Sequence, residues 1–217
     1  MNKPSPWDSR YDTNDYLYGE TPNRFIRDSC LGLLHKSPGG SARRIESVIE
    51  LACGEGRNAV FLAGLGLTVT AVDSSTVGLA KARSLAERSG HVIETIADDA
   101  LSWTPERAAD LVVSSWFHVR PEDKSRLFAS LTRVTAPGAY IVCQWFHPDQ
   151  RRNGLTSGGP PDPEMMFEPE EIAAGLDGLD IVLLSHGREW IDEGPKHKGE
   201  ASVTSVIARR RETASDV

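Results

Sequence analysis

Short apolar runs alternate with amphipathic stretches from residue 45 onward. Five of these runs have the composition of buried strands, namely SVIELA (47–52), TVTAVD (68–73), HVIETIA (91–97), ADLVVSSWF (109–117) and AYIVCQWF (139–146). Segments such as RNAVFLAGLG and TVGLAKARSLAERSG lie between them and carry apolar residues at helical spacing. Strands joined by helix-length connections pair in parallel through right-handed crossovers. The pattern therefore predicts an α/β, doubly wound sheet.

The two ends of the chain have different patterns. An arm with aromatic residues comes first, and a helix is predicted from Pro22 to about Leu34, ended by SPGGSA (37–42). Residues 147–163 are rich in Gly, Pro and charge, which predicts a long mobile loop. A short helix, EPEEIAAGL, follows, and then DIVLLSHGREW and ASVTSVIARR predict an antiparallel hairpin joined by IDEGPKHKGE. We therefore expect a mostly parallel seven-stranded sheet with a C-terminal hairpin.

Composition narrows the classes of partner. The 217 residues carry a net charge of -7, which argues against binding to a nucleic-acid backbone. No uninterrupted apolar run is long enough to cross a bilayer, and the N-terminus has no signal-peptide pattern. Three widely spaced cysteines, without a CxxC pair, suit a reducing compartment. These observations predict a cytoplasmic protein with no nucleic-acid or membrane partner.

The stretch ELACGEGRNA (50–59) contains the strongest candidate for ligand chemistry. Gly54 and Gly56 follow the first predicted strand, and Asp73 ends the second predicted strand 17 residues after Gly56. A glycine loop with an acid at that position is typical of sites that bind an adenosine ribose. Glu50 and Glu55 would repel a pyrophosphate at this loop but attract an ammonium or sulfonium group. The charges thus favour S-adenosylmethionine over a nicotinamide dinucleotide.

The same residues carry a resemblance to a known family. ELACGEGRN, Asp73, ADDA after the third predicted strand, DLVVSSWF and the final hairpin resemble the class I S-adenosylmethionine-dependent methyltransferases. The arm WDSRYDTNDYLYGETPN and the GRN after the loop are similar to the tellurite-resistance and thiopurine methyltransferase group. The family usually has Gly where this chain has Ala52. The resemblance implies a single Rossmann-like methyltransferase domain over 1–217, with an arm and helix (1–44), a cofactor-binding core (45–146) and a substrate-side loop and hairpin (147–217).

The resemblance also implies a set of cofactor contacts. Asp73 would accept both ribose hydroxyls, and Asp99 would accept the adenine amino group while the Ala100 amide donates to the ring. Asp98 is the alternative to Asp99, because the double acid leaves the register open by one residue. The other implied contacts are Glu50, Ala52, Gly54 and Gly56 at the methionine end, Ser115 and Trp116 beside the methyl group, Ser74 on the adenine, and Tyr11 and Tyr18 closing over the cofactor.

Three histidines are candidate general bases. His118 and His147 follow the fourth and fifth predicted strands, where doubly wound folds place their ligands. His197 lies in the hairpin loop, in a stretch similar to that of the family subgroup. No two histidines have i, i+3 or i+4 spacing, so no metal site is predicted.

The sequence therefore predicts an enzyme of EC class 2.1.1 that transfers a methyl group from S-adenosylmethionine to a small molecule. A thiol or chalcogen acceptor is the leading class because of the subgroup resemblance. The alternatives are an NAD(P)-dependent oxidoreductase and a non-catalytic S-adenosylmethionine-binding protein. The acceptor atom, the use of a general base, and the choice between monomer and homodimer stay open.

Overall fold

A single seven-stranded sheet runs through the protein. The computed structural model describes residues 5–35 and 44–212. Its strands are β1 Ser47–Leu51, β2 Thr68–Asp73, β3 Glu94–Ala97, β4 Ala109–Ser115, β5 Thr135–Phe146, β6 Leu179–Asp192 and β7 Lys198–Arg210. Their order across the sheet is β3-β2-β1-β4-β5-β7-β6. Strands β1 to β5 pair in parallel, whereas β7 is antiparallel to both β5 and β6.

Helices cover both faces of the sheet. They are α1 Asp8–Tyr11, α2 Arg24–His35, α3 Arg57–Gly64, α4 Thr76–Arg88, α5 Lys124–Val134, α6 Asp149–Arg152 and α7 Pro169–Gly175, with 3₁₀ turns at Pro121–Asp123 and Pro163–Met165. Helices α2, α3 and α4 contribute to one hydrophobic cluster, and α5 and α7 contribute to another. The predicted fold class, a doubly wound and mostly parallel sheet with a terminal hairpin, is confirmed.

Strand β5 begins earlier than the apolar pattern indicates. The apolar run predicts a strand from Ala139, but α5 ends at Val134 and the strand starts at Thr135. Pairing with β4 is irregular here, because Ala109 faces Thr135 while the next paired position, Leu111, faces Tyr140. A bulge tolerates a proline that has no N–H to donate to the ladder, so the Pro–Gly pair can lie within a strand.

The segment after β5 is more ordered than a mobile loop. It contains α6, and the Arg151 guanidinium donates to four backbone carbonyls at 2.8–3.0 Å, those of Leu155, Gly158, Gly159 and Pro160. The prediction of a long mobile loop over 147–163 was therefore wrong. A single arginine with five fixed donors holds the turn together, which the Gly- and Pro-rich composition did not reveal.

The hairpin loop is shorter than predicted. Strands β6 and β7 continue their ladder to Asp192 and Lys198, so the connection consists of residues 193–197 instead of 191–200. The shorter loop places Glu193 and His197 at the two ends of a tight turn, where the Glu193 N–H donates to the His197 carbonyl at 2.7 Å.

The N-terminal arm packs against α4 and the loop before it. Ser75 Oγ donates to Asp8 Oδ1 at 2.7 Å, and the Tyr16 hydroxyl donates to the Lys81 carbonyl at 2.8 Å. These contacts confirm an ordered arm over the residues that the structure describes. The predicted break at 37–42 and the first four residues of the arm lie outside them. Among the described helices, none has the length and apolarity needed to span a bilayer.

The packing of α3 on α4 requires glycine at position 56. Gly56 has φ +86°, and a Cβ there would lie 2.5 Å from the Ala82 Cβ in α4. Gly66 has a nearly equal φ of +84° but nothing within 4 Å. We expect Gly56→Ala to lower the free energy of unfolding by about 3 kcal/mol and Gly66→Ala by about 1 kcal/mol, because only the first adds a clash to the backbone strain. Urea denaturation measures both values, and equal losses would contradict this view of the packing.

Candidate active site

A cavity of about 390 Å³ lies at the carboxyl ends of β1, β2 and β4, beneath the N-terminal arm. Most of the residues singled out in the sequence line it. They are Tyr11, Tyr18, Glu50, Ala52, Gly54, Asp73, Ser74, Asp99, Ala100, Ser115, Trp116, His118 and His197. Residues that are distant in the chain meet here because parallel strands bring their carboxyl ends to one edge.

Three of the candidate residues do not line the cavity. Gly56 faces Ala82 of α4, so its role is to allow helix packing. The Asp98 side chain is exposed and accepts the Asp99 N–H at 2.7 Å. His147 lies outside the cavity beside β6. Of the two acids, Asp99 lines the cavity and Asp98 does not.

The loop after β1 approaches the cavity with a strained backbone. Ala52 has φ +56°, a conformation that favours glycine, and Trp116 after β4 has φ +60°. Non-glycine residues in this region cost about 1–3 kcal/mol each and cluster at functional sites. The Ala52 conformation explains why the resembling family usually has glycine there. At Gly54, a Cβ would lie 2.7 Å from the Tyr11 hydroxyl, so this glycine lets the arm close over the loop.

Asp73 is held rigidly at the end of β2. Its Oδ2 accepts the Gly54 N–H and its Oδ1 accepts the Ser75 N–H, both at 2.8 Å. Burial raises the pKa of Asp73, and these backbone hydrogen bonds oppose that rise. Each carboxylate oxygen still has a lone pair for a further donor, such as a ribose hydroxyl.

Glu50 lines the cavity with a buried carboxylate. Its Oε1 accepts the Asn58 amide at 2.8 Å, while the buried Oε2 has no hydrogen-bond partner within the described residues. Burial raises the pKa of Glu50 to about 7. A buried acceptor without a donor is costly, and an ammonium group would satisfy it while favouring the ionised carboxylate. This site fits the cationic ligand that the sequence predicts.

Glu55 contributes less to that preference than the sequence suggests. Its Oε1 forms an ion pair with Lys81 of α4, and its Oε2 accepts the Tyr18 N–H at 3.2 Å. The charge is therefore compensated within the protein, and Glu55 fastens the arm to α4. The electrostatic argument against a pyrophosphate depends chiefly on Glu50.

Sequence reasoning missed a buried ion pair at the cavity wall. Arg57 Nη2 lies 2.6 Å from Glu193 Oε2, and both side chains are less than 10% exposed. Glu193 also accepts from Trp116 Nε1 at 2.7 Å and from Asn23 Nδ2 at 2.9 Å. Burial acts to raise the pKa of Glu193, but the Arg57 guanidinium and the hydrogen bonds outweigh it and bring the pKa to about 2. The sequence offers one signal for Glu193, its i, i+4 spacing from the candidate base His197.

His197 is the histidine placed for chemistry. It lines the cavity, with ring centroids 4.6 Å from Tyr18 and 5.3 Å from Trp116 and from Phe146. Its Nδ1 lies 3.8 Å from Glu193 Oε2 and has no hydrogen-bond partner within the described residues. Burial lowers the pKa of His197, although the Glu193 carboxylate opposes this. The imidazole is therefore neutral near pH 7 and can accept a proton.

His118 is buried beside the cavity without a free nitrogen. Its Nε2 accepts the Phe146 N–H at 3.1 Å, so its Nδ1 carries the proton and donates to the Trp116 carbonyl at 3.0 Å. Burial lowers the pKa of His118 to about 3. With both ring nitrogens bonded to the backbone, His118 supports the cavity wall and has no lone pair for a substrate proton.

His147 packs against another histidine. Its ring stacks on that of His186 with 3.6 Å between centroids, and its Nδ1 accepts the Asp149 N–H at 3.0 Å. The prediction that no histidines combine in a metal site considered only local spacing. Strand pairing in the hairpin brings His186 beside His147, which local spacing cannot show.

Comparison with known proteins agrees with this geometry. Residues 48–138 match the family model of a methyltransferase domain. The match extends from β1 into the bulge of β5 and includes the loop, Asp73 and Asp99. A search among curated proteins finds no match. The domain match and the fold support S-adenosylmethionine as the cofactor, as the sequence predicts, and they do not favour a nicotinamide enzyme.

Solved structures show the same fold. A protein studied for the conversion of a disulfide bond into a thioacetal group during echinomycin biosynthesis is 20% identical, with a TM-score of 0.73 over 96% of this chain and 93% of that chain. TehB from Haemophilus influenzae is 17% identical, with a TM-score of 0.67 over 94% of this chain and 66% of its own. The N-methyltransferase NodS from Bradyrhizobium japonicum WM9, in complex with S-adenosyl-L-homocysteine, is 19% identical, with a TM-score of 0.65 over 94% and 96%.

The buried Glu50 carboxyl predicts a specific pH dependence of stability. Its pKa is about 7 in the folded protein and ordinarily 4.5, so the folded state binds more protons than the unfolded state between those two pH values. The contribution of the Glu50 carboxyl to the free energy of unfolding is therefore fully present below pH 4.5. It falls by about 3 kcal/mol as the pH rises from 4.5 through 7. Glu50→Gln removes that loss.

Urea unfolding of the ligand-free protein between pH 5 and about 8 checks this linkage. The exposed Glu46→Gln variant is the matched control, and we expect its pH profile to follow the wild type. Parallel profiles for Glu50→Gln and the wild type would show that Glu50 does not carry the shifted pKa.

Proposed function

We propose that the protein is an S-adenosylmethionine-dependent methyltransferase that acts on a small molecule with a soft acceptor atom, such as a thiol or another chalcogen. One observation carries the proposal. A single cavity joins an acid-lined end, with Glu50, Asp73 and Asp99, to an aromatic end that contains the neutral imidazole of His197. The first end suits the cofactor, and the second suits an acceptor.

The acid-lined end supplies groups for each part of the cofactor. Glu50 Oε2 would receive the methionine ammonium, and Asp73 would accept the ribose hydroxyls. Asp99 and the Ala100 amide would meet the adenine edge. The structure of NodS, which has the same fold, contains S-adenosyl-L-homocysteine, the product that the cofactor leaves behind.

The aromatic end limits the size of the acceptor. Trp116 stacks on Phe146 with 4.3 Å between centroids, and Gly158 and Gly159 approach the Phe146 ring. A cavity of about 390 Å³ is small for a site that holds both partners. The cavity volume and its aromatic lining therefore favour a small acceptor with an apolar body.

The chemistry of His197 favours an acidic acceptor group. When bound, S-adenosylmethionine supplies a methyl group that is already activated for in-line displacement. Glu193 can only accept, so His197 directs a protonated Nδ1 toward it and keeps the Nε2 lone pair for the acceptor's proton. An imidazole with a lowered pKa is too weak to deprotonate an alcohol or an ammonium efficiently. A thiol ionises near pH 8.5, about two units above ordinary imidazole, so His197 can assist it.

An acceptor screen tests this proposal directly. Purified protein, S-adenosylmethionine and matched series of small aromatic and aliphatic thiols, selenols, alcohols and amines are incubated, and methylated products and S-adenosylhomocysteine are measured by mass spectrometry. We expect turnover of thiols or selenols and little with their oxygen and nitrogen counterparts. Turnover confined to amines or alcohols would overturn the acceptor class. Cofactor binding without turnover of any acceptor would overturn the enzymatic role.

His197→Asn tests the proposed base. With the best thiol acceptor, we expect kcat at pH 7 to fall by about 10²-fold, because the thiolate is no longer generated within the site. The loss should shrink above about pH 9, where the free thiol ionises unaided. The exposed His35→Asn variant is the control and should keep the wild-type profile. A loss that is independent of pH would indicate that His197 acts only through packing.

The two neighbouring acids test the position of the adenine. We expect Asp99→Ala to weaken binding of S-adenosylmethionine by about tenfold, since it removes an acceptor for the adenine amino group. Asp98→Ala changes an equally charged residue that faces away from the cavity and should leave affinity within about twofold. Isothermal titration calorimetry measures both. Equal effects would mean that only net charge matters here.

A further inference from the structure

A cluster of potential metal ligands lies outside the candidate active-site cavity. His147 follows β5, Asp149 opens α6, and His186 lies in the middle of β6. One ligand atom from each lies within 4.8 Å of the other two. Three separate elements thus direct donor atoms toward one point, and the cavity residues take no part in it.

The Asp149 carboxylate lies near both stacked imidazoles without hydrogen bonding to either. Its Oδ2 lies 3.7 Å from His147 Nδ1 and 3.9 Å from His186 Nε2. Donors that share an ion at bond lengths of about 2.0–2.2 Å lie roughly 3.4 Å apart. A contraction of a few tenths of an ångström closes both gaps. The two rings stack with 17° between their planes, so the exposed His186 ring must also turn out of the stack to direct Nε2 at an ion held by His147 and Asp149.

We propose that His147, Asp149 and His186 bind a divalent transition-metal ion of the zinc type. Two imidazoles and one carboxylate form a donor set that suits zinc, cobalt or nickel better than magnesium, which prefers oxygen ligands. The remaining positions on the ion are open to water. None of the three proposed ligands lines the candidate active-site cavity.

The charges near the cluster favour a cation. Asp149 Oδ1 lies 3.6 Å from Arg152, which also forms a 2.9 Å ion pair with Glu168. Two carboxylates thus share one guanidinium, which leaves a net negative charge beside the two histidines.

Ion binding replaces two existing hydrogen bonds to the imidazole nitrogens with bonds from those nitrogens to the ion. The Asp149 N–H now donates to His147 Nδ1 at 3.0 Å, and Ser202 Oγ lies 3.1 Å from His186 Nε2. The Asp149 N–H can bond to water instead, because Asp149 is partly exposed, whereas the buried Ser202 hydroxyl loses its partner. The cost of these two bonds is small beside the free energy of a transition-metal site.

The position of the cluster indicates what the ion stabilises. Gln150 of α6 donates to Ser157 Oγ at 2.9 Å and to the Gly158 carbonyl at 3.2 Å, and its own Oε1 accepts the Ser202 N–H. An ion at Asp149 ties α6 to β6 and thereby braces the 153–161 segment, which forms one wall of the cavity. The ion would be structural.

Titration of the tag-free full chain with Zn²⁺ tests the proposal, because an added histidine tag would bind the same ion. We expect one equivalent of Zn²⁺ by calorimetry, and Co²⁺ should give a visible absorption band that Zn²⁺ removes, whereas Mg²⁺ should not compete. The thermal midpoint of unfolding should rise with Zn²⁺. The protein is kept reduced, and its three cysteines, all buried, should not compete for the ion.

Two variants assign the ligands. His186→Ala and Asp149→Asn change partly exposed side chains and should each weaken Zn²⁺ binding by at least about tenfold, while His35→Ala removes an exposed histidine elsewhere and should bind as the wild type does. Circular dichroism and urea unfolding without metal confirm that each variant is folded. Binding that is absent in the wild type, or unchanged in either ligand variant, overturns the proposal.

Discussion

The buried ion pair between Arg57 and Glu193 holds the two halves of the cavity in register. Arg57 opens α3 directly after the glycine loop, whereas Glu193 begins the hairpin loop at the far end of the chain. A buried pair is stable only if its remaining donors and acceptors are satisfied, and removing one partner leaves an uncompensated charge that costs about 3–5 kcal/mol. Here Arg57 donates to the Tyr18 carbonyl, and Glu193 accepts from Trp116 and Asn23. The arm, the loop, β4 and the hairpin therefore depend on one pair of charges.

A chain of buried amides extends from that pair beneath the cavity. Asn58 donates to Glu50 and to Ser115, and it accepts from the Asn23 backbone. Asn23 in turn donates to Gln144 of β5. Each of these side chains is fixed by partners on a different element, so the network holds the Glu50 carboxylate in place. The polar interior of this edge is consequently rigid, and the ligand end of the site is formed before any ligand arrives.

The fold was predictable because its signals are local and periodic. Apolar runs and helical spacing identified β1, β2 and β4. Asp73 could be placed near the ligand site because it ends the second strand, and doubly wound sheets bind ligands at the carboxyl ends of their strands. The bulge at Pro137 and the ordering of the 147–163 segment were missed, since each depends on partners that the local pattern does not contain. Arg151, for example, has the same local pattern as a solvated loop arginine.

Candidate site residues were predictable where their position at the end of a strand places them in the cavity. They were less predictable where pairing between distant strands places them. Ala52, Gly54 and Asp99 follow strand ends, and they line the cavity. Glu193 and the His147–His186 pair escaped notice because the register of β6 and β7 brings them into place, and register follows from the length of a turn. The assignment of His118 as a base failed for a related reason: strand-end position does not show that both of its nitrogens are bonded to the backbone.

The N-terminal arm has a consequence for how ligands enter and leave. Tyr11 and Tyr18 line the cavity, and the arm is fastened by hydrogen bonds to Ser74, Ser75 and Glu55. A ligand in the cavity contacts the arm only while the arm is docked. Ligand binding and arm docking are therefore linked equilibria, and each stabilises the other by the same free energy. Protection of the arm from proteases should therefore report ligand occupancy.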